Sequence, residues 1–218
     1  DAAHAIAVDD GGDVYVAGET TGDFDGNGPR GELDLLVAKY SAAGDRVWTR
    51  QLGSPKKEYG LGVTVCPRGD VFVTGFTHGD LDGNRIVGGS DAFVVKYSSS
   101  GAKVWTRSFG SAENEAARAI ACDANGSIFV AGESKGRLGA DANAGGYDGF
   151  LAQFSADGVQ GWTRQLGTPG HEMGHGIAFD GRGGIYVVGT TEGGLDGNAS
   201  EGVGDMFLTK FGASGEKF

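Results

Sequence analysis

Val14-Tyr15-Val16, Val71-Phe72-Val73, Ile128-Phe129-Val130 and Ile185-Tyr186-Val187 follow one another at intervals of 57 residues in a chain of 218 residues. Trp48, Trp105 and Trp162 keep the same spacing, as do Asp34, Asp91, Asp148 and Asp205. Three glycine series keep it too, beginning at Gly12, Gly18 and Gly44. No insertion or deletion breaks the register, so the chain is four copies of one unit: 1–57, 58–114, 115–171 and 172–218.

Each copy reads as four short strands. The first is Ala5-Ile6-Ala7-Val8 and its equivalents; the second is the Val-Tyr-Val type. The third runs from Leu35 to Tyr40, from Ala92 to Tyr97, from Gly149 to Phe154 and from Met206 to Phe211. The fourth contains the tryptophans, from Val47 to Leu52, Val104 to Phe109 and Gly161 to Leu166. Asp-x-x-Gly turns such as Asp9 to Gly12 join strands one and two, because Asp suits the first turn position and Gly the last. Even spacing, turn signals and no helical period describe an all-β chain, and four strands per unit describe the blades of a β-propeller.

The first strands carry Ile6, Val63, Ile120 and Ile177 on one face and Ala5, Gly62, Ala119 and Gly176 on the other. Small residues suit innermost strands crowded about an axis. The second strands are apolar on both faces, as in a sheet sandwiched between neighbours. The next tryptophan would fall at position 219, so the fourth blade is expected to lack its outermost strand. Three arrangements stay open: part of a longer propeller, four blades closing without a strand clasp, or two chains completing one ring.

The pattern Gly69-Asp70-Val71-Phe72-Val73-Thr74-Gly75, then Asp91-Ala92-Phe93-Val94-Val95-Lys96-Tyr97, then Lys103-Val104-Trp105-Thr106-Arg107, resembles the bacterial SBBP β-propeller repeat family. Gly79-Asp80-Leu81-Asp82-Gly83-Asn84 is similar to that family's loop, whereas the third copy departs from it at Gly139-Ala140-Asp141-Ala142-Asn143. The strand order also resembles NHL-type propellers. The resemblance implies a propeller within a secreted, periplasmic or surface protein of a bacterium, and says little about a ligand.

Composition narrows the function. Glycine supplies 43 of the residues and proline only 4, which fits many tight turns and not a disordered chain. The net charge of −11 comes with no basic stripe, which disfavours nucleic acid and anionic lipid as partners. No stretch has the length of a membrane span. The chain opens directly in repeat sequence, as a mature, trimmed or excised segment would.

Several constellations bear on chemistry. Asp23, Asp25, Asn27 and Asp34 have the oxygen-ligand spacing of a calcium loop, as do Asp80, Asp82, Asn84 and Asp91. The fourth copy keeps Asp196, Asn198 and Asp205. Turn formation alone explains the same residue types. Asp1, Glu58, Glu115 and Glu172 precede the innermost strands and are expected either to ring a channel mouth or to lie as solvated loop acids. His171-Glu172-Met173-Gly174-His175 matches a zinc-peptidase motif formally, but the repeat places it at the entrance of a strand, where the two histidines do not share a helix face. The tryptophans and Arg50, Arg107 and Arg164 are expected to pack between blades with cation–π contact. Cys122 replaces apolar residues and Cys66 holds a turn position; their one-position offset, on alternating faces, argues against a disulfide. No catalytic grouping converges.

A non-catalytic binding or scaffold module for a protein partner or larger assembly is therefore expected, with self-association to complete the ring as one route. The alternative is a propeller enzyme, a polysaccharide lyase or hydrolase with acids at the channel mouth. Such an enzyme should break the repeat symmetry with one cluster of unique polar residues.

Overall fold

A computed structural model describes every residue except Asp25, Asn27 and Glu201. Blade 1 is β1 (Ala2–Val8), β2 (Val14–Thr20), β3 (Asp34–Tyr40) and β4 (Arg46–Leu52), paired in that order. Blade 2 repeats it with β5 (Glu58–Val65), β6 (Val71–Thr77), β7 (Asp91–Tyr97) and β8 (Lys103–Phe109). Blade 3 consists of β9 (Glu115–Cys122), β10 (Ile128–Ser134), β11 (Asp148–Phe154) and β12 (Gln160–Leu166). Blade 4 has three strands, β13 (Glu172–Phe179), β14 (Ile185–Thr191) and β15 (Asp205–Phe211). The strand pairings within each blade are antiparallel.

The innermost strands pack in sequence, β1 on β5, β5 on β9 and β9 on β13, whereas β1 and β13 do not pack on each other in this way. The four blades thus form an open arc. Its three hydrophobic clusters are its three seams. Tyr15, Val37 and Trp48 meet Val63, Val73 and Phe93; Phe72, Val94 and Phe109 meet Ile120, Val130 and Phe150; Phe129, Leu151 and Leu166 meet Val187, Phe207 and Phe211. The small face of each first strand receives the branched residues of the next blade. A Cβ on Gly62 would lie 3.3 Å from Ile120 Cγ2. Neighbour packing, more than crowding at the axis, therefore accounts for the small residues.

The outer strands lock each seam. The Nε1 of Trp48, Trp105 and Trp162 donates to the carbonyl of Ser99, Ala156 and Ala213, each at 3.2 Å. The Nε of Arg50, Arg107 and Arg164 donates to Gly101, Gly158 and Gly215 in the same turns. Each guanidinium also lies over its own blade's indole, 5.5–5.6 Å from the ring centre. The turn glycine is required for two reasons. Gly101 has φ 80°, and a Cβ there would come within 2.8 Å of the Trp48 ring.

Cys66 and Cys122 form a disulfide across the seam of blades 2 and 3. This corrects the expectation drawn from their offset. Alternation governs one strand, but across a seam the trailing face of one blade meets the leading face of the next. Partners must then come from opposite faces, and the separation of 56, one short of the repeat, is what the contact requires.

Candidate binding face

The repeat acids are not open to a channel. Glu58, Glu115 and Glu172 are buried, each as the first residue of its innermost strand. Glu58 accepts from the Ser54 amide, the Ser54 hydroxyl and the Thr77 hydroxyl at 2.6–2.7 Å. Glu115 accepts from the Ser111 amide and hydroxyl and from Ser134, and Glu172 from the Thr168 amide and hydroxyl and from Thr191. Asp1 accepts from Thr20 Oγ1 and the Thr21 amide. For Glu58, Glu115 and Glu172 this corrects both the ring of mouth acids and the solvated-loop alternative, whereas Asp1 is exposed. The linker after one blade contributes the Ser or Thr and the next blade's second strand contributes the other hydroxyl, so each carboxylate pins two elements together.

The calcium-type loops distribute their side chains differently. Asp25 and Asn27 lie outside the described residues. Asp23 accepts from the Gly26 amide, and Asp34 is buried, accepting from the Arg30 amide and Gln51 Nε2. In the second loop Asp80 accepts from the Ile86 amide, Asn84 folds back onto the Leu81 carbonyl, and buried Asp91 accepts from the Val87 and Gly88 amides. Asp82 pairs with Lys103, and Asp196 pairs with Lys217 at the equivalent place in blade 4. Burial pushes the Asp82 carboxyl up, but hydrogen bonds from Lys103 and Thr106 outweigh it and hold it below its ordinary value. By sequence alone the equivalent positions hold Asp25 and Arg46 in blade 1 and Gly139 and Gln160 in blade 3, so blade 3 lacks the charged pair. Among the described residues no three His, Cys, Asp or Glu side chains converge as a metal set.

His171-Glu172-Met173-Gly174-His175 enters β13. Glu172 is buried in the seam, and His175 Nε2 meets Thr190 Oγ1 at 3.2 Å. His171 points elsewhere: its Nδ1 accepts from the Tyr147 amide at 3.0 Å, which leaves the ring proton on Nε2, toward Glu192.

The feature that sequence reasoning missed is a bulge in every innermost strand. The register shifts between Ala3 and Ala5, between Gly60 and Gly62, opposite Ala131 and Gly132, and between Gly174 and Gly176. His4, Leu61, Arg118 and His175 are the extra residues. A bulge re-aims its side chain out of the sheet's alternation. Gly18, Gly75, Gly132 and Gly189 serve this geometry, because a Cβ there would strike the carbonyl of the residue two before the bulge. Bulge residues meet side chains of the second strand: His4 pairs with Glu19 at 2.6 Å, and Arg118 pairs with Glu133 through Nε and Nη2 at 2.5 and 2.6 Å. The Glu133 carboxylate raises the Arg118 pKa further above its usual value, so the guanidinium stays charged.

Around Arg118 lies a pocket of about 540 Å³ that draws on blades 2, 3 and 4. Phe76, His78, Tyr147, Met173, His171 and Glu192 line it with Arg118 and Glu133. Tyr59 stacks on Phe76 with ring centres 4.6 Å apart, and His78 stands edge-on to Phe76. Among the described residues Arg118 Nη1 has no hydrogen-bond partner, so both of its N–H groups remain for a ligand. A signal existed in the sequence: positions 4, 61, 118 and 175 vary from His to Leu, Arg and His between flanking positions that stay Ala or Gly in every copy.

Comparison with known proteins agrees with this architecture. The chain is 32% identical over 198 residues to the regulatory protein FlaEY of Caulobacter vibrioides, a match spanning 84% of this chain and 20% of that protein. It therefore spans about one fifth of the curated relative that it matches. A solved protein of unknown function from Bacteroides caccae superposes with TM-score 0.56 at 10% identity, over 99% of this chain and 58% of that one. A xylan β-1,4-xylosidase from Bacillus halodurans aligns at TM-score 0.42 and 15% identity over 95% of this chain and 40% of its own, a likeness too low to carry an argument. The described residues contain no helix long and apolar enough to cross a membrane. The β-propeller repeat model named SBBP matches residues 1–25 and 161–196, and the chain is a β-propeller built from that bacterial repeat.

Proposed function

We propose that this chain is a non-catalytic module that binds a protein partner through the pocket around Arg118. The observation that carries this reading is the lining of the pocket, where the break in repeat symmetry leaves Arg118 N–H groups unpaired beside aromatic side chains while the acid next to it, Glu133, is already engaged by Arg118. Seams and turns are nearly uniform, while the bulge residues and the side chains beside them differ from blade to blade. A free Arg118 donor beside Phe76, Tyr147 and Met173 suits a peptide segment offering a carboxylate or carbonyl next to an apolar side chain. The likeness to a regulatory protein supports an interaction role.

A catalytic role is less well supported. Arg118 and Glu133 engage one another bidentately, and the carboxylates of Glu115 and Glu172 have filled acceptors. A general acid or base needs a group free to exchange its proton with substrate. Calcium is less well supported in the second and fourth loops, where Lys103 pairs with Asp82 and Lys217 with Asp196. A secreted, periplasmic or surface location is part of the proposal, supported by the Cys66–Cys122 disulfide, which persists in oxidising compartments.

The test is a photo-reactive residue at Met173 in the native host. It should trap one protein, and the purified partner should bind the wild-type chain and lose affinity for Arg118→Glu. Equal binding by both chains would end the proposal. So would release of sugar products from a polysaccharide that stops with Glu133→Gln.

A further inference from the structure

At the far end of β9 from Arg118, one lysine series breaks off. Lys39, Lys96 and Lys210 occupy equivalent places in blades 1, 2 and 4, where blade 3 has Gln153. Each lysine lays its ammonium over the aromatic ring beside it on the second strand, 5.0 Å from the centre of Tyr15, 5.4 Å from Phe72 and 5.1 Å from Tyr186. Each also pairs with a carboxylate of a nearby turn: Asp13 and Asp70 at 2.7 Å, and Asp180 at 3.2 Å. Lys96 further donates to the Ala156 carbonyl of the next blade at 3.2 Å. Blade 3 keeps the ring, as Phe129, without the lysine. Gln153 turns instead toward β12, where a Cβ on Gly161 would collide with its Oε1; blades 1 and 2 have Val47 and Val104 at that place.

The acceptors of the missing ammonium are retained. Asp123, the equivalent of Asp180, accepts from the Asn125 and Ser127 amides through Oδ1. Among the described residues nothing donates to its Oδ2. In blade 1 the Tyr15 hydroxyl serves Asp9 Oδ2, and in blade 4 Lys210 serves Asp180 Oδ2, but Phe129 has no hydroxyl to offer. Asp123, Phe129 and Ala213, the equivalent of Ala156, line a cavity of about 350 Å³ between blades 3 and 4. Phe179 adds a second ring, 5.4 Å from Phe129, where the other two seams have Val65 and Cys122.

We propose that this cavity binds a primary alkylammonium group, carried by a lysine of a partner or by a free amine. The cation takes the place that the chain's own lysines fill in the other three blades, over the Phe129 ring and within reach of Asp123 Oδ2 and the Ala213 carbonyl. The Phe179 ring offers an apolar wall to the alkyl stem. The net charge of −11 draws cations toward the surface. This site is independent of the pocket around Arg118, whose free groups are donors.

Titration followed by nuclear magnetic resonance, with butylammonium and with an end-blocked peptide carrying one lysine, tests the proposal. The parent should bind at least one probe saturably. Gln153→Lys supplies the ammonium from within and should weaken that binding on the order of tenfold or more, as should Asp123→Asn. Acetylating the peptide's lysine should have the same effect. Circular dichroism checks folding, and Gln153→Arg replaces a variant that fails it. Binding of the peptide alone assigns the ammonium to a partner's lysine, and equal binding of butylammonium assigns it to a free amine. No saturable binding of either probe, or binding that Gln153→Lys leaves unchanged, would overturn the proposal.

Discussion

The seam between blades 2 and 3 and the pocket above it use the same strands to opposite ends. In the seam, Glu115, Trp105 and Ile120 occupy positions that the neighbouring blades fill with the same residue or a near equivalent. At the pocket, a few residues along β9, Arg118 stands where the other blades have His or Leu. Burial explains the contrast. A seam position must match a partner that is itself repeated, and a mismatch leaves a cavity or an unpaired polar atom. A bulge side chain faces outward and is free to differ.

That contrast can be broken most forcefully at the buried acids. Glu58→Ala strands an amide and two hydroxyls in the seam of blades 1 and 2, and should cost about 4 kcal/mol in urea denaturation. A loss below about 1 kcal/mol would mean that these carboxylates do not hold the seam. Next comes the disulfide. Reduction, or Cys66→Ala with Cys122→Ala, should cost about 2–4 kcal/mol by relieving the unfolded chain of a closed loop. An unchanged urea midpoint under reductant would show that the bond is not formed.

Asp148 offers a smaller effect with a definite sign. Burial, and then repulsion from Glu172, raises its pKa above the ordinary 3.8, against a hydrogen bond from the Ala144 amide. Between pH 3.8 and the raised value, the folded chain keeps a proton that the unfolded chain has released. The contribution of Asp148 to stability therefore falls as pH rises through that window. Asp148→Asn should be the more stable chain at neutral pH and converge on the parent in acid. Parallel stability curves for the two would refute this. The smallest change belongs to the pocket wall: Met173→Ala should alter stability by less than about 1 kcal/mol, whereas Arg118→Ala should cost more, because it leaves the buried Glu133 carboxylate without its partner. A larger loss for Met173→Ala would erase the distinction between seam and face. Separately, a chelator should leave the melting temperature unmoved, since Lys103 and Lys217 already pair with Asp82 and Asp196; a fall would restore calcium.

The repeat, the four-stranded blades, the turns and the packing of Trp and Arg against the neighbouring blade were all legible. Each depends on residues close in sequence or on a spacing that recurs. Less of the site was legible. Glu58 and its equivalents were recognised as a set but assigned to the wrong environment, because their hydroxyl partners sit four residues before and nineteen after, on two different elements. Arg118 was visible only as the residue aligned with His175. Its role depends on a bulge, which shifts pairing by one residue without altering the repeat length.

The amino-acid order alone determined that this chain is a series of equivalent antiparallel sheets, because a conserved period forces each unit into the same local structure. Only the tertiary structure decided what meets across a seam: Cys66 with Cys122, the acids with their hydroxyls, Arg118 with the side chains of three blades. Those contacts join faces of separate sheets, and the relation between two faces is not contained in the alternation of either strand.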